Sequence, residues 1–396
     1  MFQKLVSHNE DIDNLVQKGY AVAFDGNYLI VRDIPYLDHE RALQVGAIVS
    51  KIVFIDLERI KPDDHQIFFS GTEPHGLDGN PIPNLGGGPT HLAMGENSND
   101  VVVQRSFSNK PRNRDFQDFF EKIESYVAII SAPAIELYNA NPYTFRAVKE
   151  VVPDSIFKLN DTLTSRAEIN DLSAKFRNDV VAVIGLGGTG SYLLDFLVKT
   201  PVKEIRAFDN DLFHIHNAFR SPGKIDLAEF NESKTEVYRA RYDNFRHGLS
   251  FENKMIDSTC GKDFDGVTFA FVCVDKGSSR AGVFDLLISK GIPFIDVGMG
   301  LKRRDDKLNG MLRMTYYPTK HGQNLREKKL AEENDGGNDL YRTAIQISEL
   351  NALNACLAII KFKQIRGFYT ESTPLYHLLF ELGDIDITGE SDINEN

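Results

Sequence analysis

Four glycines, Gly185, Gly187, Gly188 and Gly190, interrupt the apolar run VVAVIGLGGTGSY at residues 180–192, directly ahead of a helix-like segment. Glycine lets a backbone turn sharply and approach phosphate oxygens with no Cβ in the way. The helix that follows offers unpaired N–H groups and the positive end of its dipole to an anion. Taken alone, the loop fits NAD or FAD as well as ATP, or a tight turn with no ligand. The residues beyond it narrow the choice. Asp209 ends the next apolar run, EIRAFDND, where an acid accepts hydrogen bonds from ribose hydroxyls. Arg220 in HNAFRSPG and Lys234 in SKTEVYRA add two cations just beyond that run, and Asp275 closes FAFVCVD. Two cations and a spare carboxylate suit a triphosphate with Mg2+ and serve no purpose for a hydride carrier. A helix dipole contributes only about 0.3–1 kcal/mol. Charge that builds up during phosphoryl or nucleotidyl transfer needs full charges, and these three are the candidates.

The elements that would position them alternate in type. VVAVIGLG reads as a buried parallel strand and TGSYLLDFLVKT as the helix after it. EIRAFDND, FAFVCVD and IPFIDVGMG read as further strands, with helices over SKTEVYRARYDNFR and SSRAGVFDLLISK. Apolar strands separated by crossover helices predict a doubly wound α/β domain, with a mostly parallel sheet covered on both faces. ISELNALNACLAIIKFKQI supplies a late helix, and the acidic end GDIDITGESDINEN at 383–396 is expected to fray.

Residues 1–150 differ in texture. YAVAFDGNYLIV, IVSKIVFIDL and HQIFFSG read as strands, the first pair turning at DGN. A Gly/Pro/Asn-rich loop follows at 74–89, and FQDFFEKIESYVAIISAPAIELY carries helical spacing interrupted near Pro133. A smaller α+β domain at 1–150, a Rossmann-like domain at 160–375 and an acidic tail are therefore expected. The chain has 396 residues, 42% hydrophobic and 26% charged, and carries a formal net charge of −12. That balance argues against generic binding to nucleic acid or to an anionic membrane. No signal-peptide pattern or bilayer-length apolar run is present, and Cys260, Cys273 and Cys356 form neither a disulfide framework nor a CxxC pair. The expectation is a cytoplasmic protein.

With GLGGTG, then Asp209 and Asp211 in DND, Asn217 and Arg220 in HNAFR, Lys234 and Asp275 in that order, residues 159–362 resemble the ThiF/MoeB/HesA superfamily, which includes the ubiquitin-activating enzymes. GLGGTGSY and HNAFRSPG look like a bacterial ThiF subgroup with an extra N-terminal domain. The resemblance implies MgATP as cofactor and attack on its α-phosphate by a carboxylate, often the C-terminus of a small ubiquitin-like protein. Acyl adenylate and pyrophosphate are the products. It further implies that Asp209 holds the ribose, Asn217 lies near the α-phosphate, Arg220 and Lys234 neutralise phosphate charge and Asp275 binds Mg2+. An arginine upstream of the glycine strand joins them, with Arg166 the counterpart and Arg177 its rival. Members commonly pair, so a homodimer is expected.

Two departures from the family stand out. No cysteine lies between residues 301 and 340, where many members carry the thioester nucleophile, and the paired zinc cysteines are missing. Cys356 and Cys273 read as packing residues, and Cys260 as the most exposable thiol. Adenylation without an obligatory thioester on this chain follows, the acyl group passing directly to a separate acceptor. His214 and His216 make an HxH pair with no third ligand. His65, His75, Asp78 and His91 are a possible cluster or a chance feature of a glycine-rich loop. Asp296 either faces the adenylate or makes a structural hydrogen bond, and LKRRDDK at 301–307 is a solvated turn or a greeting for an acidic partner. The N-terminal domain holds no cysteine, which bars it from carrying a thioester. Competing readings are adenylation of a small acid or tRNA-borne carboxylate, a non-catalytic partner subunit, and an NAD-dependent oxidoreductase.

Overall fold

The computed structural model describes residues 2–95, 98–111, 114–145, 155–159, 161–167, 169–334 and 345–391. The chain divides into two units, Met1–Asp171 and Leu172–Asn396.

The first unit is a seven-stranded antiparallel sheet with helices. Its strands are β1 (Ala21–Asp25), β2 (Tyr28–Leu37), β3 (Leu43–Phe54), β4 (Ile60–Pro62), β5 (Gln66–Ser70), β6 (Gly88–Leu92) and β7 (Val103–Ser108). They run in the order β1-β2-β3-β5-β7-β6, with β4 paired to β3. The DGN turn joins β1 to β2 as the sequence predicts, with Gly26 at φ 56°. Strand alternation sorts side chains to two faces. Leu29 and Val31 of β2 join Ile48 and Ile52 of β3 in one cluster, while Ile30, Ala47 and Val49 join Val101 and Val103 in another. Helices α1 (Phe2–His8), α2 (Glu10–Lys18) and α3 (Phe119–Ile130) contribute Leu5, Ile12, Leu15, Ile123, Val127 and Ile130 to the first cluster. Next, α4 (Ala132–Tyr138) starts again after Ser131, with Pro133 in its first turn, where a missing N–H does no harm. Two short helices, α5 (Thr162–Arg166) and α6 (Asn170–Ala174), end the unit and span its boundary.

Lys122 of α3 is buried in this unit, its Nζ donating to Ser50 Oγ at 2.9 Å. Burial pushes its ammonium from the ordinary 10.5 down to about 8, with Asp64 and Asp63 pulling weakly the other way. Below about 8 both folded and unfolded chains carry the proton, so the burial penalty is fully present there. Between about 8 and 10.5 the unfolded chain binds more protons, so stability rises with pH across that window. Lys122→Met should abolish this rise and raise stability at neutral pH by on the order of 1–3 kcal/mol. Thermal unfolding of the full chain at several pH values checks both signs.

The second unit is an eight-stranded sheet. It comprises β8 (Val180–Ile184), β9 (Glu204–Asp209), β10 (Leu249–Asn253), β11 (Phe269–Val272), β12 (Phe294–Arg304), β13 (Lys307–Tyr317), β14 (His377–Glu381) and β15 (Asp386–Glu390). The order is β10-β9-β8-β11-β12-β13-β14-β15. The five strands from β10 to β12 are parallel, and β13, β14 and β15 continue antiparallel. The chain leaves β8 in one direction through β9 and β10 and returns to build β11 on the other side. That reversal opens a crevice at the C-terminal ends of β8, β9 and β11, where doubly wound folds bind ligands.

Both faces of this sheet are covered. Val181 and Val183 of β8 pack with residues of α7 (Gly188–Val198), α9 (Lys234–Tyr242) and a late helix (Ser348–Ile365). Val180, Ala182 and Ile184 pack on the opposite side with Val283, Phe284 and Leu287 of α10 (Gly277–Ser289). A short α8 (Ile215–Ala218) lies in the crossover after β9, and α11 (Gly322–Glu327) follows β13, which makes the late helix α12. Two expectations are corrected. The acidic end does not fray up to residue 390, because Asp386–Glu390 pairs with β14 as an edge strand. LKRRDDK is not all turn: β12 runs on to Arg304 with Leu301 buried, and the chain reverses at Asp305, φ 55°. Among the described residues no helix is long and apolar enough to cross a membrane.

Candidate nucleotide site

The glycine loop sits where β8 hands over to α7. Gly185 takes φ 91°, and a Cβ there would lie 2.7 Å from the Cys273 carbonyl oxygen, so only glycine fits between the two strand ends. Gly187 is the N-cap of α7, and Gly188 and Gly190 lie buried in its first turn. The end of β9 holds this loop. Asp209, 9% exposed, accepts the Leu186 N–H through Oδ2 at 2.6 Å and the Asp211 N–H through Oδ1 at 2.8 Å. Its carboxylate therefore ties the glycine loop to the adjacent strand, a task the sequence does not reveal.

Lys234, the first residue of α9, is 5% exposed. Its Nζ lies 2.7 Å from Asp211 Oδ2 and 3.3 Å from Asp209 Oδ1. Burial works against the ammonium, but the Asp209 and Asp211 carboxylates outweigh it and raise the Lys234 pKa. Burial likewise opposes the Asp211 carboxylate, and Lys234 holds it below the usual range, helped by Lys276 and His214. Lys276 directly follows Asp275, so the loop after β11 lies within electrostatic reach of this cluster. Asp275 itself is exposed and has no hydrogen bond or ion pair among the described residues.

Arg220 follows α8 and is half-buried, and its Nε is a buried donor without a partner. The His216 pKa is lowered by burial and then by the charges of Arg220, His214 and Lys234, so both candidate cations lie within electrostatic reach of one imidazole. Asn217 is buried, and its Oδ1 accepts the His214 N–H at 2.8 Å. Its Nδ2 carries no hydrogen bond among the described residues. Asp209, Asp211 and Lys234 thus meet at the crevice, and Asn217 and Arg220 lie on the crossover after β9. Asp275 stands on the neighbouring loop. Arg166 ends α5 in the other unit, and its side chain lies outside the described residues. Arg177, in the second unit, is exposed.

Several other candidates belong elsewhere. Asp296, fully buried, does not face an adenylate. It is clamped by Arg280 Nε at 3.0 Å and Arg313 Nη2 at 2.5 Å. Arg280 also donates to the Val274 and Glu332 carbonyls at 2.5 and 2.7 Å, which fixes the backbone next to Asp275. Neither arginine stands out in the sequence, since each sits in an otherwise ordinary helix or strand pattern. Cys260 is not the most exposable thiol: it is buried, 8% exposed, with its sulfur 3.6 Å from Asp257 Oδ1. Burial raises the Cys273 and Cys356 thiols. His65 bonds Ser108, His75 bonds the Glu73 carbonyl and Asp78 bonds Asn80, so they form no common cluster. Among the described residues no group of three His, Cys, Asp or Glu could hold a metal ion.

The ThiF family model matches residues 164–358, and this segment is a ThiF-family domain. Residues 10–162 match a family described as a domain of unknown function, DUF6791. No curated protein matches the chain. Among solved structures, E. coli MccB with MccA-N7isoASN is 20% identical over 59% of this chain and 72% of that one, with a TM-score of 0.46. E. coli MccB with ATP is 18% identical over 59% and 71%, with a TM-score of 0.43. PaaA is 14% identical over 69% and 92%, also at 0.43.

Proposed function

We propose that this chain is an ATP-dependent adenylyltransferase that activates the C-terminal carboxylate of a ubiquitin-like protein or peptide. A carboxylate oxygen attacks the α-phosphorus of ATP, a new P–O bond forms, and the bond to the bridging oxygen breaks as pyrophosphate leaves with its electron pair. The observation that carries the reading is the ion cluster of Lys234 with Asp209 and Asp211, set beside the glycine loop at the sheet's crevice. Within it, Asp209 anchors the loop and stands where a ribose would lie. Asp211 borders the same pocket. Asn217 and the unpartnered Nε of Arg220 offer donors to phosphate oxygens, and Lys234 supplies a cation that stays charged. Arg166, or Arg177 in its place, adds a further positive charge.

Asp275 suits Mg2+, because the ion favours hard oxygen donors and is held by one or two carboxylates together with substrate phosphates. Bound there, the ion would neutralise charge on the phosphates. Donors aimed at charge that develops only in the transition state contribute most to such a reaction. A homodimer also belongs to this reading. Leu212, Ile215, Phe219 and Leu227 are 43%, 66%, 82% and 82% exposed along the crossover, an apolar strip suited to a second copy.

The test is ATP–pyrophosphate exchange with a panel of peptides and ubiquitin-like proteins ending in a free carboxylate. Exchange that depends on Lys234 and Asp275 supports the proposal, and exchange indifferent to both refutes it. No thioester is needed on this chain, since burial works against the Cys273 and Cys356 thiolates and Cys260 is buried. A variant with all three cysteines replaced by serine should keep exchange within about threefold of the parent. An acyl group carried on the parent chain after incubation with ATP and substrate, released by hydroxylamine and missing from that variant, would restore a thiol to the mechanism.

A further inference from the structure

The late helix α12 brings two asparagines, Asn351 and Asn354, to its core face one turn apart, in an otherwise apolar stretch. Asn354 is fully buried and donates through Nδ2 to the Gly298 carbonyl of β12 at 3.0 Å. Asn351, 1% exposed, faces the opening turn of α7 instead. Its Oδ1 accepts the Thr189 hydroxyl at 3.0 Å, which fixes the plane of the amide. Its Nδ2 has no partner, although it is sealed from water. That nitrogen lies only 2.3 Å from where a Cβ on Gly188 would stand, so the donor reaches the first residue of α7 because that residue is glycine. A second polar pair, Tyr192 Oη with Ser348 Oγ at 2.5 Å, holds α12 against the same helix.

A buried donor left unpaired costs about 1–3 kcal/mol. An apolar side chain at 351 would carry no such cost. We infer that Asn351 is a phosphate-binding residue of the glycine-loop site, its Nδ2 donating to the phosphate chain seated on the N-terminus of α7. This rests on the nucleotide reading above and adds a ligand residue from a helix far along the chain. Two observations meet here: an eleven-residue helix opening on the crevice, and a buried, unpartnered amide set against the first residue of that helix. A hydrogen bond to a charged acceptor contributes about 1.5–3 kcal/mol, which converts to roughly tenfold or more in affinity.

The experiment compares ATP with adenosine, which carries no phosphate, by titration of the full chain. Two variants are used: Asn351→Asp, which keeps the acceptor for Thr189 and removes the donor, and Asn351→Leu, which keeps the branching at Cγ and removes both polar atoms. Both should weaken ATP binding by about tenfold or more and leave adenosine within about twofold. Ser348→Ala, which cuts the neighbouring polar pair, should leave ATP affinity within about twofold. Equal losses for ATP and adenosine would make Asn351 a packing residue and overturn the inference. ATP affinity unchanged in both variants would overturn it while leaving the adenylation proposal intact. Failure of the parent chain to bind ATP would defeat both.

Discussion

Lys234→Met should reduce ATP–pyrophosphate exchange at least a hundredfold, roughly 3 kcal/mol of lost transition-state stabilisation. The side chain is nearly buried, and its ammonium is the counter-charge to both Asp209 and Asp211. Removing it has two consequences that must be separated. It deletes a cation from the phosphate site, and it leaves the Asp209 carboxylate buried beside Asp211 with only backbone donors. The second consequence lowers stability, by less than the ~3–5 kcal/mol of a fully buried pair because the Asp211 side chain is 62% exposed. The double variant Lys234→Met with Asp211→Asn relieves the like-charge repulsion. It should regain part of the melting temperature and none of the exchange. Recovery of exchange along with stability would mean that Lys234 merely holds the fold.

Asp296→Ala should be the most destabilising single change in the second unit, at about 3–5 kcal/mol. The carboxylate is fully buried between Arg280 and Arg313, and its loss strands two guanidinium charges with no counter-ion. For a chain of this size such a change lowers the melting temperature by roughly ten degrees. It should also impair exchange, because Arg280 holds the Val274 carbonyl and so the loop that presents Asp275. Thermal unfolding followed by exchange at a temperature where the variant is folded reads the two effects separately. A drop of only a degree or two would show that the arginines find water or other partners.

The parallel core was legible because its physics is local. An apolar run that ends in glycines and resumes as a helix encodes β8, its loop and α7 in consecutive residues. The carboxylate at the end of β9 and the cations beyond it follow from the same strand-to-helix grammar. What escaped was settled by contacts between distant parts of the chain. The five exposed residues of β15 give no strand signal, and only the open edge of β14 orders them. Asp296 read as an ambiguous strand-end acid because Arg280 and Arg313 lie on other elements. Asp209 read as a ribose acceptor alone, since its bond to the Leu186 N–H crosses between strands. Asn351 had a weak signal, two asparagines one turn apart on an apolar helix, but its opposite number, Gly188, lies far upstream.

A crystal structure of the full chain with a non-hydrolysable ATP analogue and Mg2+ tests the central claim most directly. The account predicts the phosphates on the N-terminus of α7, the ribose by Asp209, the α-phosphate within hydrogen-bond distance of Arg220 and Lys234, and Asp275 on the metal. A nucleotide bound away from that crevice, or phosphates that leave Arg220, Lys234 and Asp275 all untouched, would contradict it.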